Sequence, residues 1–166
     1  CEYISSVSKS TAVRMNTNGG MRKPEWWAQL GKLFSNFPKG EHPFYWQVTF
    51  SIDGLEDTNH IYRINSNWAS IMQGLDVMVQ SPAHVHWKTI VFDFNYAHLA
   101  KIKAFAESKG ATFESKKTHR YGRPELAPPA DFVESNHSFQ DQFVHDHTIE
   151  VEPRCEKDAK IITSDG

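Results

Sequence analysis

The stretch Trp46 to Arg63 (WQVTFSIDGLEDTNHIYR) gathers polar groups where a folded chain can use them. Trp46, Val48, Phe50 and Ile52 alternate with Gln47, Thr49, Ser51 and Asp53, so a pleated strand here has an apolar back and a polar front. Asp53-Gly54 breaks that strand, and Asp57 and Thr58 offer caps for a short helix carrying His60 and Arg63. Ligands of α/β proteins sit where strands end and helices begin, and this is such a junction. Two histidine pairs also invite chemistry. His84 and His86 share one face of a strand, at the amino end, which is the wrong end for a barrel active site. His145 and His147 flank Asp146 without the i, i+4 spacing of a helical metal site. Both pairs read as surface or loop residues; a metal-dependent hydrolase on a (β/α) barrel is the alternative they would support.

The elements that must position these groups follow from periodicity. Thr11 to Thr17 alternates Val13, Met15 and Thr17 against Arg14, Asn16 and Asn18, and Asn18-Gly19-Gly20 ends it as a turn. Pro24 suits the first position of a helix whose Trp26, Leu30, Leu33, Phe34 and Phe37 form one stripe. Ser66 is the expected cap of a second long helix, with Trp68, Ile71, Met72, Leu75 and Val79 inward and Ser81-Pro82 as its stop. His84 to Phe94 reads as a long strand and Asn95 as the cap of a helix over Tyr96 to Lys109, closed by Gly110. Ala111 to Lys116 is a shorter strand. From Thr118 onward the periodicity fails. Strands alternating with crossover helices imply a parallel sheet. Strands buried on both faces would be apolar throughout. Here one side of each is polar (Arg14, Asn16, Asn18; Gln47, Thr49, Ser51; Trp87, Thr89, Asp93), which points to a curved sheet or open barrel with a concave, ligand-bearing interior.

Composition bounds the partners. A chain of 166 residues, 39% hydrophobic and 13% aromatic, can bury a core of its own. A formal charge of -2 with no basic run gives no electrostatic case for nucleic acid or a membrane surface. No apolar run approaches a membrane span and no signal peptide is recognisable. Two cysteines, Cys1 and Cys155, exclude a disulfide scaffold, and a reducing, cytoplasmic setting is the default. The helix-like CEYISSVSKS at one end and the half-hairpin Ile161 to Gly166 at the other read as an internal segment of a longer chain.

Taken in order, four motifs resemble the radical S-adenosylmethionine (radical SAM) enzymes, in particular those with a SPASM or twitch extension. MNTNGG at Met15 to Gly20 resembles the family's third-strand ending and FSIDG at Phe50 to Gly54 its fourth. HIYR at His60 to Arg63 resembles the following His-x-x-Arg, and WKTIVFDFN at Trp87 to Asn95 the fifth strand with its terminal Asn. The resemblance implies a fragment of a (β/α)6 barrel core over residues 1–117, an α/β partial barrel, and an irregular extension over 118–166. It implies that Ser51 and Arg63 hold the carboxylate of S-adenosylmethionine, a role that a hydroxyl and a guanidinium suit through charge-assisted hydrogen bonds. Asn95 and the Thr17-Asn18 turn would contact the nucleoside or amino-acid portion.

The family's CxxxCxxC loop, its first two strands and its Gly-Gly-Glu-like segment are not in this sequence. Cys155 to Gly166 resembles the start of the SPASM or twitch cysteine pattern, which makes Cys155 a candidate ligand of an auxiliary iron-sulfur cluster. The intact protein would then use a [4Fe-4S] cluster, ligated from outside this segment, to cleave S-adenosylmethionine reductively. The resulting 5'-deoxyadenosyl radical would abstract hydrogen from a peptide, protein or small-molecule substrate, with an electron donor as partner. A noncatalytic S-adenosylmethionine-binding relative is the remaining alternative.

Overall fold

The computed structural model describes residues 13–35, 46–118, 123 and 126–130. The chain divides into two compact units, 1–130 and 131–166, and all of the described residues lie in the first. Four parallel strands make one sheet in the order β1-β2-β3-β4: β1 (Val13–Thr17), β2 (Trp46–Ser51), β3 (His84–Ile90) and β4 (Thr112–Lys116). Between them run α1 (Pro24–Ser35), the short α2 (Asn59–Tyr62), α3 (Trp68–Val79), the short α4 (Asp93–Tyr96) and α5 (Leu99–Ser108).

The register sorts side chains by face, because Cα partners on neighbouring strands point the same way. Met15, Val48 and Val85 fall on one side with Thr17, Phe50, Trp87 and Phe113. Helices α1, α3 and α5 contribute to the core against this side: Phe50, Trp87, Leu75, Met78 and Ile102 have no accessible surface, and Trp87 meets Phe105 of α5 edge-on at 5.9 Å. The opposite face is polar. It reads Arg14, Gln47 and His84 in one row, Asn16, Thr49, His86 and Thr112 in the next, then Ser51, Lys88 and Glu114 toward the carboxyl ends.

One strand is phased opposite to the sequence expectation. Trp87 and Thr89 belong to the covered apolar side, while His84, His86 and Lys88 supply the polar side of β3; Asp93 opens α4 and is not in the strand. A large indole beside a threonine gives no clean alternation, and pairing with Phe50 decides the phase. Burial is made possible by the Ile52 carbonyl oxygen, which accepts from Thr89 Oγ1 at 2.8 Å and Trp87 Nε1 at 3.1 Å.

The helices depart from expectation by small rotations and shifts. Pro24 starts α1, but the buried stripe is Trp27, Leu30, Gly31 and Phe34, with Trp26 half-buried and edge-on to Trp27 at 4.9 Å. Asn67, not Ser66, caps α3, its Oδ1 accepting from Ser70 N at 3.0 Å. The expected helix over 96–109 is two pieces, α4 and α5, and Asn95 lies inside the first.

Trp27 depends on a glycine across the helix pair. A Cβ at Gly74 of α3 would stand 2.6 Å from Trp27 Nε1 and 2.9 Å from its Cε2, in a ring that also packs on Phe50 at 5.2 Å. Gly74→Ala gains up to about 1 kcal/mol of helix propensity. Overpacking against an immobile buried indole costs more, and a net loss of about 1–2 kcal/mol is expected. Thermal unfolding should show a Tm several degrees below wild type, whereas Gly20→Ala, whose nearest contact is 3.7 Å, leaves it nearly unchanged. An unaltered Tm in Gly74→Ala would contradict this packing.

Candidate functional site

The carboxyl ends of β2 and β3 are tied together through Asp53. Its carboxylate has no accessible surface; Oδ1 accepts from Ile90 N at 2.6 Å and Oδ2 from Arg63 Nε at 2.6 Å. Its backbone is held as well. Asp53 N donates to Asn59 Oδ1 at 2.9 Å, and Asp53 O accepts from Asn95 Nδ2 at 2.7 Å. Asn95, also buried, gives its second amide hydrogen to Ile90 O at 2.9 Å and accepts from Phe92 N at 2.9 Å. Asn59 Nδ2 donates to Ser66 Oγ at 3.1 Å. One buried cluster therefore sets the exits of two strands and the start of α2.

Local sequence explains why these residues meet. Asp53 follows Ser51 by two positions and so continues the polar side, while Ile52 between them is fully buried on the other. The Leu55–Asn59 turn closes through Leu55 N to Thr58 Oγ1 at 3.0 Å and Asn59 N to Leu55 O at 2.8 Å. That turn starts α2, and Arg63, the residue closing it, is brought back to the strand end; its guanidinium also lies 4.9 Å from the Tyr62 ring. Further along, Val91 N donates to Lys116 O and Asp93 N to Ala127 O, both at 2.9 Å, so the rim extends to β4 and to residues 126–130.

The sequence-predicted site residues can now be placed. Ser51 is half-buried on the polar face beside Lys88, and its hydroxyl has no hydrogen-bond partner among the described residues. Arg63 spends Nε on Asp53; its two terminal nitrogens have no partner among the described residues, and a quarter of the side chain is accessible. Thr17 Oγ1 accepts from Gly19 N at 3.0 Å and Asn18 Oδ1 from Gly20 N at 3.3 Å, a turn that Gly19 permits with φ of +76°. Both side chains thus keep their donors. Asn95 has both amide hydrogens committed to backbone carbonyls. Cys155, His145 and His147 lie outside the described residues.

Sequence reading missed Asp53 and Asn59 as the centre of the rim. Asp53 is visible in the sequence as the end of the polar front and as half of a turn signal, but neither feature marks its bonds to Ile90 and Arg63. His84 and His86 stand in the amino half of the polar face. Burial, then the charge of His84, hold His86 below the usual imidazole value, with Glu114 opposing and Arg14 assisting. No group of three or more His, Cys, Asp or Glu side chains placed to hold a metal occurs among the described residues. Among the same residues no helix is long and apolar enough to cross a membrane.

No family model matches the chain, and no curated protein matches it in sequence. Among solved structures the fold is similar to that of native anSMEcpe with bound AdoMet, a radical SAM enzyme. The TM-score is 0.53 at 13% identity, covering 80% of this chain and 38% of that one. The chain thus spans well under half the length of that protein. At this identity the likeness is one of fold: four parallel strands alternating with helices, consistent with a partial (β/α) barrel like the radical SAM core.

Burial pushes the Asp53 carboxyl above its ordinary value of 3.8, against the charge and hydrogen bond of Arg63, the Ile90 amide and the charge of Lys88. The folded state holds the proton more tightly than the unfolded one, so this contribution to stability is complete below 3.8 and is lost as pH rises through the higher folded value. Arg63→Met removes the largest influence opposing burial and raises that value further. Its destabilisation should be about 2–4 kcal/mol near neutral pH, where the carboxylate is left buried and uncompensated, and should shrink as pH falls toward about 4. Denaturant unfolding at the two pH values checks this; an equal loss at both would contradict it.

Proposed function

We propose that this chain forms the S-adenosylmethionine-binding part of a radical SAM-type (β/α) barrel, with Ser51 and Arg63 receiving the ligand's carboxylate. The observation that carries this reading is a half-buried hydroxyl and two guanidinium nitrogens, all without partners among the described residues, on one carboxyl rim. A carboxylate needs donors of fixed direction, and Arg63 is fixed by its Nε bond to Asp53. Ser51 Oγ donates to one carboxylate oxygen while the terminal nitrogens of Arg63 donate to the other. Asn18, in the turn that ends the neighbouring β1, offers an amide to the remaining polar atoms of the ligand, while Thr17 shares the covered side with Phe50 and shapes that turn by accepting from Gly19 N. The share of Asn95 is positional: it holds the Asp53 and Ile90 carbonyls and so the rim itself.

The cysteines of this sequence, Cys1 and Cys155, do not make a CxxxCxxC loop, so the residues present do not fit a three-thiolate [4Fe-4S] cluster. In the intact protein, S-adenosylmethionine and such a cluster would supply radical chemistry toward a peptide, protein or small-molecule substrate, with an external electron donor. What this chain contributes is binding, orientation and exclusion of water at the rim.

Isothermal titration of the chain with S-adenosylmethionine tests the reading. Wild type should bind one equivalent, and Ser51→Ala and Arg63→Lys should each weaken binding about tenfold, the loss of roughly one charge-assisted hydrogen bond. Lys103→Ala, an exposed change on α5, should leave affinity unaltered. Failure of wild type to bind, or wild-type affinity in Ser51→Ala, would overturn it.

A further inference from the structure

The row of the polar face nearest the carboxyl ends carries one cation, Lys88, without a described counter-charge. Ser51, Lys88 and Glu114 are neighbours across β2, β3 and β4 in the row nearest the carboxyl ends. Two ion pairs bracket this row. Arg63 is matched to Asp53 at 2.6 Å, and Lys116 to Glu114 at 3.1 Å. Lys88 is half-buried in the centre of the sheet and has neither an ion pair nor a side-chain hydrogen bond among the described residues. Lys88 is the register partner of Ser51 and lies two residues before Ile90, whose amide binds Asp53, so it belongs to the carboxyl end of the strand.

We propose that Lys88 is a specificity-determining residue that receives an oxyanion of the substrate, a carboxylate or a phosphate, beside the S-adenosylmethionine site. This rests on the reading of that site given above. The two donors assigned to the ligand's own carboxylate, Ser51 and Arg63, are both reached from β2 and the α2 turn; Lys88 lies one strand further, on the side of Glu114. Glu114 does not neutralise it, because its carboxylate is engaged by Lys116. A half-buried lysine with no counter-charge among the described residues attracts a negative group, and does so more strongly where part of its surroundings is protein and not water. The substrate class follows as anionic.

The test is calorimetric titration of the full chain with inorganic phosphate and, separately, with succinate, each with and without saturating S-adenosylmethionine. Wild type should bind one equivalent of at least one probe in the presence of S-adenosylmethionine, and which probe binds separates the two oxyanion classes. Lys88→Met should weaken that binding about tenfold or more, and Lys88→Arg should retain it. The affinity of Lys88→Met for S-adenosylmethionine should match wild type, in contrast to Ser51→Ala. Three results would overturn the proposal: no bound probe in wild type, equal probe binding in wild type and Lys88→Met, or loss of S-adenosylmethionine affinity in Lys88→Met, which would place the ammonium in the first ligand's own site. Probe binding that depends on Lys88 in a chain that fails to bind S-adenosylmethionine would sustain Lys88 as an oxyanion site while removing the proposed function.

Discussion

A carboxylate with no accessible surface is the constraint around which this structure is arranged. An ionised side chain loses several kcal/mol of hydration when buried, and only close, well-directed partners return it. Asp53 has two, the Ile90 amide on the next strand and the Arg63 guanidinium ten residues on. Satisfying that charge obliges β3 to end beside β2 and the α2 turn to fold back over both. Asn95 and Asn59 extend the same logic to the backbone, so that the carbonyls and amides left over where the strands stop are matched inside the protein. The rim is therefore built from polar groups whose partners lie within the protein.

Division of labour between the two faces of the sheet follows from the register. Helices α1, α3 and α5 claim the side of Val48, Phe50, Val85 and Trp87, where aromatic rings and aliphatic chains close without accessible surface. The other side keeps hydroxyls, amides, imidazoles and ammonium groups in transverse rows. Such asymmetry suits a sheet that curves around a ligand, and a doubly covered sheet would not tolerate it. The likeness in fold to anSMEcpe agrees with that geometry.

Much of this was legible in the sequence. Every strand and every long helix among the described residues has a counterpart in the sequence, β1, β2, α1 and α3 by their period and β3 and β4 by composition and position, and the parallel order follows from their alternation. What was not legible came from interactions between elements. Trp27 displaces Trp26 in the core because Gly74 of α3 opens a slot for its ring, which no pattern within α1 records. Trp87 and Thr89 turn inward because the Ile52 carbonyl accepts both their donors, so a strand read alone had the wrong phase. At the site, motifs point to Ser51 and Arg63, whereas Asp53, legible as the end of the polar front and half of a turn, carries no local sign of its bond to Arg63. Asn95, expected as a helix cap, lies inside α4, and its amide is turned to backbone carbonyls 42 and five residues away, a long-range commitment invisible to local rules.

Amide hydrogen exchange in Asn95→Ala, compared with Asn67→Ala at the α3 cap, tests most directly whether the Asp53 cluster sets the rim as one unit. If it does, the amides of Asp53, Ile90 and Phe92 should lose protection together in Asn95→Ala and keep it in Asn67→Ala, although of these N–H groups only that of Phe92 donates to Asn95, which meets Asp53 and Ile90 at their carbonyls. Loss confined to Phe92, with Asp53 and Ile90 exchanging as in wild type, would contradict a shared buried clamp.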